Sequence, residues 1–537
     1  MADAIVIGAG PNGLVAANLL ADAGWDVLVL EAEPEPGGAV RSAELVEPGF
    51  VNDVFSAFYP LAAASPHIRA LRLEEHGLRW VRAEVAVAHP AADGTCAAIS
   101  LDPAGTAASL DAFAPGDGEA WRRLYGLWER AGRHALDALL TLFPPVRPAL
   151  RLAAELGPAE LLRFLRFATL SVRRLGEETF RGAGGRRLLA GNALHADLTP
   201  ETPPGGVYGW TLCGLGQEVG FPVPQGGAGE LTAALLRRLA VRGGRVVCGA
   251  PVERVVVRGA RAVGVETADG ERHEARRAVL ADVGAPQLYW RLVGDGHLPA
   301  RVLDDLVRFQ YDSATVKVDW TLDGPIPWTH PDARRAGTVH VADDVDALTR
   351  QAAELACGEL PARPYLVMGQ YASFDPTRCP PGKETAWAYT HVPQHIAGDA
   401  RGELAGRWDE QEAERFAERM EEEVERLAPG FRDRIRGRHV HTPPTLEAAN
   451  RNLVGGAING GTAQLHQQLV FRPTSQLARP ETPIRRLYLA SASAHPGGGV
   501  HGACGAHAAR VALAAHRRRV PTVAAGALAR RLQGRGR

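Results

Sequence analysis

The first forty residues place a glycine-rich turn between a strand-like and a helix-like segment, and this arrangement narrows the fold more than any other feature. The apolar run AIVI precedes GAGPNG, the helical pattern LVAANLLADAG follows it, and a second apolar run, VLVL, ends at Glu31. Gly8, Gly10 and Gly13 therefore match G-x-G-x-x-G in the strand, turn and helix context of dinucleotide-binding βαβ units. The sequence predicts such a unit at the N-terminus.

Each part of this unit has a physical role in holding a dinucleotide. Gly8 permits the tight turn, Gly10 lets the backbone approach a pyrophosphate, and Gly13 lets the helix pack closely on the strand. The helix start, which includes Pro11 and Asn12, supplies N–H groups and the positive end of a dipole. The glutamate that ends the second strand is suited to accept hydrogen bonds from both ribose hydroxyls.

Composition sets the class of protein. The chain has 537 residues, of which 46% are hydrophobic, and it exceeds what one core normally organises, so we expect two domains. A formal net charge of -1 gives no field that concentrates nucleic acid, and we expect no such partner. Six scattered cysteines without a C-x-x-C pair, no signal-peptide pattern and no membrane-spanning run predict a cytoplasmic protein. We predict no metal site, and the oligomeric state stays open.

Strand-like and helix-like blocks alternate along the chain. Nucleotide-domain patterns return in the middle and at the end, while the intervening blocks are first largely helical and then combine strands with the amphipathic helix DEQEAERFAERMEEEVERLA. The sequence therefore predicts two interleaved domains. The predicted segments are 1–85, 221–292 and 471–518 for the nucleotide-binding domain, 86–220 and 293–470 for the second domain, and 519–537 for an Arg-rich tail.

The first unit continues into EAEPEPGGAVRS, where Gly37, Gly38 and Arg41 follow the ribose acid. The whole segment GAGPNGLVAANLLADAGWDVLVLEAEPEPGGAVRS resembles the N-terminus of the phytoene-dehydrogenase-related FAD-dependent oxidoreductases, which include carotenoid desaturases and isomerases, retinol saturase and uncharacterised relatives. The resemblance implies an α/β fold in which a Rossmann-type FAD-binding domain is interleaved with an α+β substrate domain. This is the glutathione-reductase-like arrangement of amine oxidases and phytoene desaturases. It implies FAD as the cofactor, with Gly37 and Gly38 along its pyrophosphate and ribityl chain and Arg41 as a further cofactor-binding candidate.

Two later segments extend the resemblance over nearly the whole chain. FPVPQGGAGELTAALLRRLAVRGGRVVCGAPVERVVV is similar to the family's middle segment, in which a strand passes the adenine, and the matching position is Val252. LYLASASAHPGGGVHGACGAHAARVAL is similar to the family's C-terminal flavin motif. By that resemblance, this loop passes the isoalloxazine ring and the next helix points its N-terminus at the flavin N1/O2 edge. The cofactor-binding candidates in the loop are His495, Gly498, Gly499, Val500 and Gly502.

Lys317 and His501 are the candidate catalytic residues. His501 stands where many desaturases have proline, which makes the chain more similar to the uncharacterised relatives, and histidine exchanges protons near neutral pH. A structural histidine in a glycine-rich loop is the alternative. Lys317 and Lys383 are the two lysines of the chain, and the resemblance implies for Lys317 the place near flavin N5 that amine-oxidase-like flavoproteins give a lysine. A surface lysine on an alternating strand is the alternative.

The leading functional hypothesis is hydride transfer between flavin N5 and a C–C bond of a mainly apolar small molecule, in a dehydrogenase, saturase or isomerase. An amine or amino-acid oxidase is the alternative, and a non-catalytic carrier resembling the Rab GDP-dissociation inhibitors is a third hypothesis. No second glycine fingerprint follows a strand, so the electron acceptor stays open between a quinone, dioxygen and NAD(P). The stretch LLRFLRFATLSVRRLG predicts either a weak peripheral membrane contact or a helix that covers the domain.

Overall fold

The computed structural model describes residues 1–475 and 477–519, so all but the first residue of the predicted Arg-rich tail lies outside the described residues. Two seven-stranded sheets organise the described part of the chain. The first sheet has the order Val252–Val257, Ala262–Thr267, Arg272–Ala281, Ala2–Ile7, Val27–Leu30 and Arg245–Val247, with Leu487–Leu489 paired to Arg272–Ala281.

The first sheet is the nucleotide-binding type that the sequence predicts. Its strand Ala2–Ile7 pairs in parallel with strands on both sides and is buried along its whole length. Strands that are covered on both faces read as continuous apolar runs, which explains the AIVI and VLVL patterns. One face packs against the helices Pro11–Asp22, Gly229–Val241 and Ala503–Arg519.

The second sheet has alternating polar and apolar positions. Its order is Ile435–His441, Ala314–Leu322, Glu384–Val392, Leu366–Gln370, Ala336–Val341, Val85–Pro90 and Cys96–Ser100. Its apolar face, which includes Val316, Val318 and Trp320, packs in one core with residues of the helix Glu410–Leu427. Because side chains alternate along a strand, Lys317 lies on the opposite face, toward the interior between the two sheets.

Helices fill the remainder of the second domain. Its helical part packs around large aromatic side chains such as Trp121, Trp128 and Trp210. The other α-helices are Pro60–Ala64, Pro66–Arg69, Pro103–Asp111, Asp117–Leu127, Arg133–Leu139, Val146–Ala168, Val172–Thr179, Ala183–Ala193, Gly205–Glu218, Ala300–Val307, Pro331–Arg335, Val345–Ala356 and Pro443–Ala449. Three short strand pairs complete the structure, Ser42–Ala43 with Asn52–Asp53, Trp80–Val81 with Val223–Pro224, and Glu359–Leu360 with Gly398–Asp399.

The stretch predicted as one membrane-contact or covering helix, residues 161–176, is divided between the end of Val146–Ala168 and the start of Val172–Thr179. Phe164 and Phe167 point inward, with ring centroids 5.9 and 5.2 Å from Trp210, while Leu162 and Leu165 are exposed. Among the described helices, none combines the length and apolar character that crossing a bilayer requires.

The chain passes between the two sheets several times. N-terminal, middle and C-terminal strands build the first sheet, and the second sheet takes its strands from the parts between them. This confirms the interleaved α/β fold that the resemblance implied. The predicted segment boundaries stay predictions.

Candidate active site

The glycine loop, from Gly8 to Gly13, packs so closely that side chains have no room in it. Gly8 has a φ of +92°, and a Cβ there would lie 2.9 Å from the backbone oxygen of Asp282. A Cβ on Gly13 would lie 2.2 Å from the backbone oxygen of Gly8. The helix Pro11–Asp22 starts at this loop with Gly10 as its N-cap and without a side-chain cap. This helix N-terminus therefore offers an anion site of the kind that binds phosphate groups.

Glu31 lies beside the glycine loop. Its Oε2 accepts a hydrogen bond from Ala9 N at 2.6 Å, and its Oε1 accepts one from Glu33 N at 3.0 Å. The carboxylate lines a side cavity of about 120 Å³. Other residues predicted to bind the cofactor line the same cavity, namely Gly8, Gly10, Gly38, Arg41 and Val252. The structure thus brings Val252 beside the N-terminal segment that contains Gly8, Glu31 and Arg41.

The glycine doublet packs directly on the glycine loop. Gly37 and Gly38 have φ values of +122° and +55°, and a Cβ on Gly38 would lie 3.0 Å from Gly10 Cα. Gly37 N donates a hydrogen bond to Ala9 O at 2.9 Å. The side chain of Arg41 continues away from the doublet and donates to Ala449 O at 3.1 Å. Glycine is required here because both the backbone conformation and the space exclude a larger residue.

Asp282 is a candidate that the sequence analysis missed. It follows the strand Arg272–Ala281, and its Oδ2 accepts a hydrogen bond from Gly13 N at 2.7 Å. Burial raises the pKa of this carboxyl group to about 7, the Gly13 N–H opposes the rise, and Glu31 adds to it. The proton on Asp282 therefore decides how much negative charge faces the phosphate-type loop. An acid ending the buried run AVLAD was the available sequence signal.

A larger cavity of about 500 Å³ begins at the glycine loop and continues to the second sheet. At the loop it is lined by Gly10, Pro11, Asn12 and Gly38, and by Gly499 and Val500 of the C-terminal loop. Farther in, its walls are mainly apolar and include Phe55, Leu139, Val207, Leu212, Phe221 and Val367. Lys317, Trp387 and Tyr389 of the second sheet also line it. The cavity thus joins the predicted cofactor site to an apolar chamber.

Lys317 is a buried ion-pair residue that lines this cavity. Its Nζ donates to Asp53 O at 2.9 Å and forms a short salt bridge with Asp319. Burial raises the pKa of the Asp319 carboxyl group to about 6, although the Lys317 ammonium opposes this rise. Asp53 is itself held by a buried salt bridge to Arg378 at 3.0 Å. The ammonium group is therefore fixed in the wall between the glycine-loop end and the second sheet.

The two histidines of the C-terminal loop lie behind the cavity wall. His501 is 2% exposed, its Nδ1 accepts a hydrogen bond from Ala503 N at 3.0 Å, and burial lowers its pKa to about 3. His495 Nε2 lies 3.2 Å from Thr141 O. Neither histidine is among the described residues that line the cavity. This geometry favours the structural alternative for His501 over a catalytic role.

The remaining predicted residues support the loops without lining either cavity. A Cβ on Gly498 would lie 2.7 Å from Asn459 Oδ1, and a Cβ on Gly502 would lie 2.8 Å from Val15. Gly502 has a φ of +67°, which a glycine adopts without strain. These glycines let the C-terminal loop pack against the helix Pro11–Asp22 and against Asn459.

Comparisons with known proteins agree with this geometry. The family model described as flavin containing amine oxidoreductase matches residues 12–512. Mouse pyridine nucleotide-disulfide oxidoreductase domain-containing protein 2 is 30% identical over 95% of this chain and 93% of its own length. Hydroxyneurosporene desaturase of Cereibacter sphaeroides is 28% identical over 95% of this chain and 97% of its own length. The structure of wild-type putrescine oxidase bound to putrescine aligns with a TM-score of 0.60 at 17% identity, covering 96% of this chain and 99% of that chain.

The residues present fit the cofactor that this match implies. The glycine loop leaves no room for a Cβ, Gly10 gives the helix start no side-chain cap of its own, and the Glu31 carboxylate lies beside the loop, where it can accept hydrogen bonds from a ribose. The cofactor is FAD, and the predicted relationship to FAD-dependent oxidoreductases is confirmed. On the match over residues 12–512, this chain belongs to the flavin-containing amine oxidoreductase family.

Proposed function

We propose that this FAD-dependent oxidoreductase removes hydrogen from, or adds hydrogen to, a C–C bond of a mainly apolar small molecule. The observation that carries the proposal is the mainly apolar cavity that leads from the glycine loop to the second sheet. Its volume of about 500 Å³, which includes the end at the predicted cofactor site, falls within the range of roughly 300–1,000 Å³ that ligand sites occupy. One of the relatives is named as a desaturase, which supports the same class of reaction.

One set of residues is placed to hold the cofactor, and another encloses the substrate. When bound, FAD supplies the redox chemistry through hydride exchange at its N5. The glycine loop and Glu31 are placed to hold the dinucleotide part, and the apolar walls exclude water from the substrate. Lys317 keeps a fixed ammonium group in the wall, because Asp319 and Asp53 O both bind its Nζ.

Amine or amino-acid oxidation is the second candidate, and one observation favours it. Trp387 and Tyr389 line the cavity, with ring centroids 6.1 Å apart and ring planes at 10°, and aromatic faces attract cations. Lys317 in the same wall does not discriminate between the two candidates, because Asp319 pairs with its ammonium group. A protonated amine would also pair with a carboxylate. Among the described residues that line the cavity, the acidic one is Asp282, and it lies at the glycine loop and not in the apolar part.

The electron acceptor and the membrane contact also belong to the proposal. We keep a quinone, dioxygen and NAD(P) as candidate electron acceptors. A weak peripheral membrane contact has support in Leu162 and Leu165, which are exposed beside Arg163 and Arg166 on one helix. The non-catalytic carrier has less support, because the glycine loop and Glu31 keep the geometry that a dinucleotide requires.

Anaerobic flavin reduction tests the proposed reaction. FAD-loaded protein is mixed with a panel of partly saturated terpenes and carotenoid precursors, and separately with primary amines and amino acids. We expect an isoprenoid to bleach the visible flavin absorbance and to gain a double bond, as measured by mass spectrometry. Bleaching by amines alone would reject the proposal and select the second candidate. If no compound bleaches the oxidised flavin, and none reoxidises dithionite-reduced flavin anaerobically while gaining two hydrogens, the proposal is also rejected.

A further inference from the structure

A pair of histidines, His195 and His340, lies where the large cavity meets the second sheet. His195 lines the cavity, and its Nε2 lies 2.8 Å from His340 Nε2, with the ring planes at 72°. His340 is fully buried on the strand Ala336–Val341. Neither residue is among those assigned above to cofactor binding or to the Lys317 ion pair.

The sheet register gives the distance of this pair from Lys317. Lys317 pairs with Tyr389, Tyr389 pairs with Val367, and Val367 pairs with His340 across four neighbouring strands. Three strand spacings of roughly 4.8 Å separate the two ends, which is about 14 Å. The intervening Tyr389 and Val367 both line the cavity. An elongated apolar molecule would therefore extend along this row.

The hydrogen bonds determine which ring nitrogens carry protons. Within the described part of the chain, His340 Nδ1 is buried and has no hydrogen-bond partner. A buried N–H without an acceptor is rarer than an unpaired acceptor, so Nδ1 carries no proton. His340 therefore donates from Nε2 to His195 Nε2, and His195 carries its own proton on Nδ1.

Both rings are neutral near pH 7. Burial lowers the pKa of His195 to about 4, with a smaller contribution from His391. Burial likewise holds the pKa of His340 well below its usual range, and His195 and His89 add to this effect. The donor that His195 presents is therefore an uncharged N–H, which suits a neutral oxygen acceptor more than an anion.

The Nδ1–H of His195 has no hydrogen-bond partner among the described groups. His195 is only partly buried and this nitrogen is not itself buried, so it can reach a ligand in the cavity that the residue lines. Thr338, two positions from His340 on the same face of the strand, also lines the cavity, although its Oγ1 is buried. An unpaired polar atom that is accessible from an apolar cavity indicates a ligand with a matching polar group.

We propose that His195 is a specificity-determining residue that donates a hydrogen bond to a hydroxyl or carbonyl oxygen at one end of an otherwise apolar substrate. The inference rests on the proposed function and narrows its substrate class to oxygenated apolar molecules, such as alcohols, aldehydes and ketones. His340 is a positioning residue, because it orients the His195 ring without lining the cavity. Gly191 supports it, since a Cβ there would lie 2.3 Å from His340 Nδ1.

Calorimetric binding to the FAD-loaded protein tests this role without any turnover. The probes are geraniol and 2,6-dimethylocta-2,6-diene, which share a skeleton and differ by a terminal CH₂OH in place of CH₃. Geranylamine, which is protonated at neutral pH, is the third probe. The readout is the ratio of the affinity for geraniol to the affinity for the hydrocarbon, measured for each protein. Comparing this ratio between wild type and variant cancels the hydration of each free ligand.

His195→Phe and His195→Met are the test variants, and His395→Phe is the matched control on an exposed histidine. We expect the ratio to fall about three- to tenfold in both test variants, as the loss of one neutral hydrogen bond predicts. The hydrocarbon affinity is expected to stay within about twofold of wild type. His395→Phe is expected to leave both affinities unchanged.

Unchanged ratios in His195→Phe or His195→Met with full FAD content would overturn the inference. Tighter binding of geranylamine than of geraniol by the wild type would also overturn it, because an N–H donor does not attract a cation. That comparison needs no variant and therefore stands even if the variants fail to fold. Flavin bleaching tests the reaction separately, so a binding result of either sign is distinguishable from failure of the proposed function.

Discussion

The residue Gly10 shows how the absence of a side chain contributes to a cofactor site. A Cβ on Gly10 would lie 2.7 Å from Asp282 Oδ2, on the surface where a pyrophosphate approaches the backbone. We expect Gly10→Leu to abolish FAD binding, measured as the FAD-to-protein ratio after gel filtration. Gly126→Leu is the matched control, because no atom outside its own helix lies within 4 Å of a Cβ there. A folded Gly10→Leu protein with one FAD per chain would disprove the phosphate site.

Lys317 and Lys383 form a second comparison between single residues. Lys317 is buried with Asp319 in the cavity wall, whereas Lys383 is partly exposed and pairs with Asp323. We expect Lys317→Met to keep FAD, to slow flavin reduction or reoxidation in stopped-flow experiments, and to lose roughly 3–5 kcal/mol of unfolding free energy, since Asp319 loses its partner. Lys383→Met is expected to change neither rate. Equal, unperturbed rates for both variants would remove Lys317 from the active site.

Elements were predictable where the local pattern was sufficient. The strand Ala2–Ile7 and the helices Gly229–Val241 and Glu410–Leu427 correspond to patterns read from the sequence, because strand burial and helix amphipathicity have short periods. The strands Val85–Pro90 and Cys96–Ser100 were not identified in or beside the block predicted as largely helical. The first of them pairs with Ala336–Val341, about 250 residues later, and no local pattern carries such a pairing.

The candidate site was predictable where a local motif or the resemblance indicated its residues. The glycine loop and Glu31 form a local motif, and the resemblance supplied the other cofactor-binding positions. His195 and His340 are 145 residues apart and meet only in the folded chain. Asp282 reaches Gly13 from a strand 269 residues away. Such contacts depend on tertiary packing, so neither spacing nor composition indicates them.

The helix Val146–Ala168 allows a test of membrane contact at the scale of one element. Its exposed Leu162 and Leu165 would each contribute about 0.8 kcal/mol per CH₂ group that enters the lipid. We expect the double variant Leu162→Ser, Leu165→Ser to reduce cosedimentation with anionic vesicles severalfold. Val241→Ser, at an equally exposed position of another helix, is the control and is expected to have no effect. Wild-type protein that stays in the supernatant would contradict the proposed contact.

At the scale of the whole molecule, the cavity lies between two parts of the structure, each of which is built around one sheet from several separate stretches of the chain. One end belongs to the glycine loop and the other to the polar face of the second sheet. The polar positions that face it, such as Thr315, Lys317 and Thr338, alternate with core residues of the same strands. Each strand therefore contributes both to the stability of its domain and to the wall of the site.

Buried acids make the stability of the FAD-free protein depend on pH. Burial raises the pKa of Asp282 to about 7, above its value in the unfolded chain, so the folded state binds this proton more tightly. The stabilising contribution is complete below the unfolded pKa near 4 and is lost as the pH rises through about 7. A rise of this size corresponds to up to about 4 kcal/mol of unfolding free energy.

Asp282→Asn isolates this contribution, because asparagine does not titrate. Burial also raises the pKa of Asp312 and Asp319 to about 6 and that of Glu384 to about 7, so the wild type alone cannot assign the effect. Buried histidines such as His501, whose pKa burial lowers to about 3, change the stability in the opposite direction over the same range. We therefore expect the urea midpoint of FAD-free wild type to fall between pH 5 and pH 8 relative to that of Asp282→Asn. The difference between the two proteins should be smaller at pH 5, where Asp282 is neutral in the folded chain, and should shift in favour of the variant at pH 8. Parallel pH profiles would show that Asp282 has the same pKa in the folded and unfolded chain.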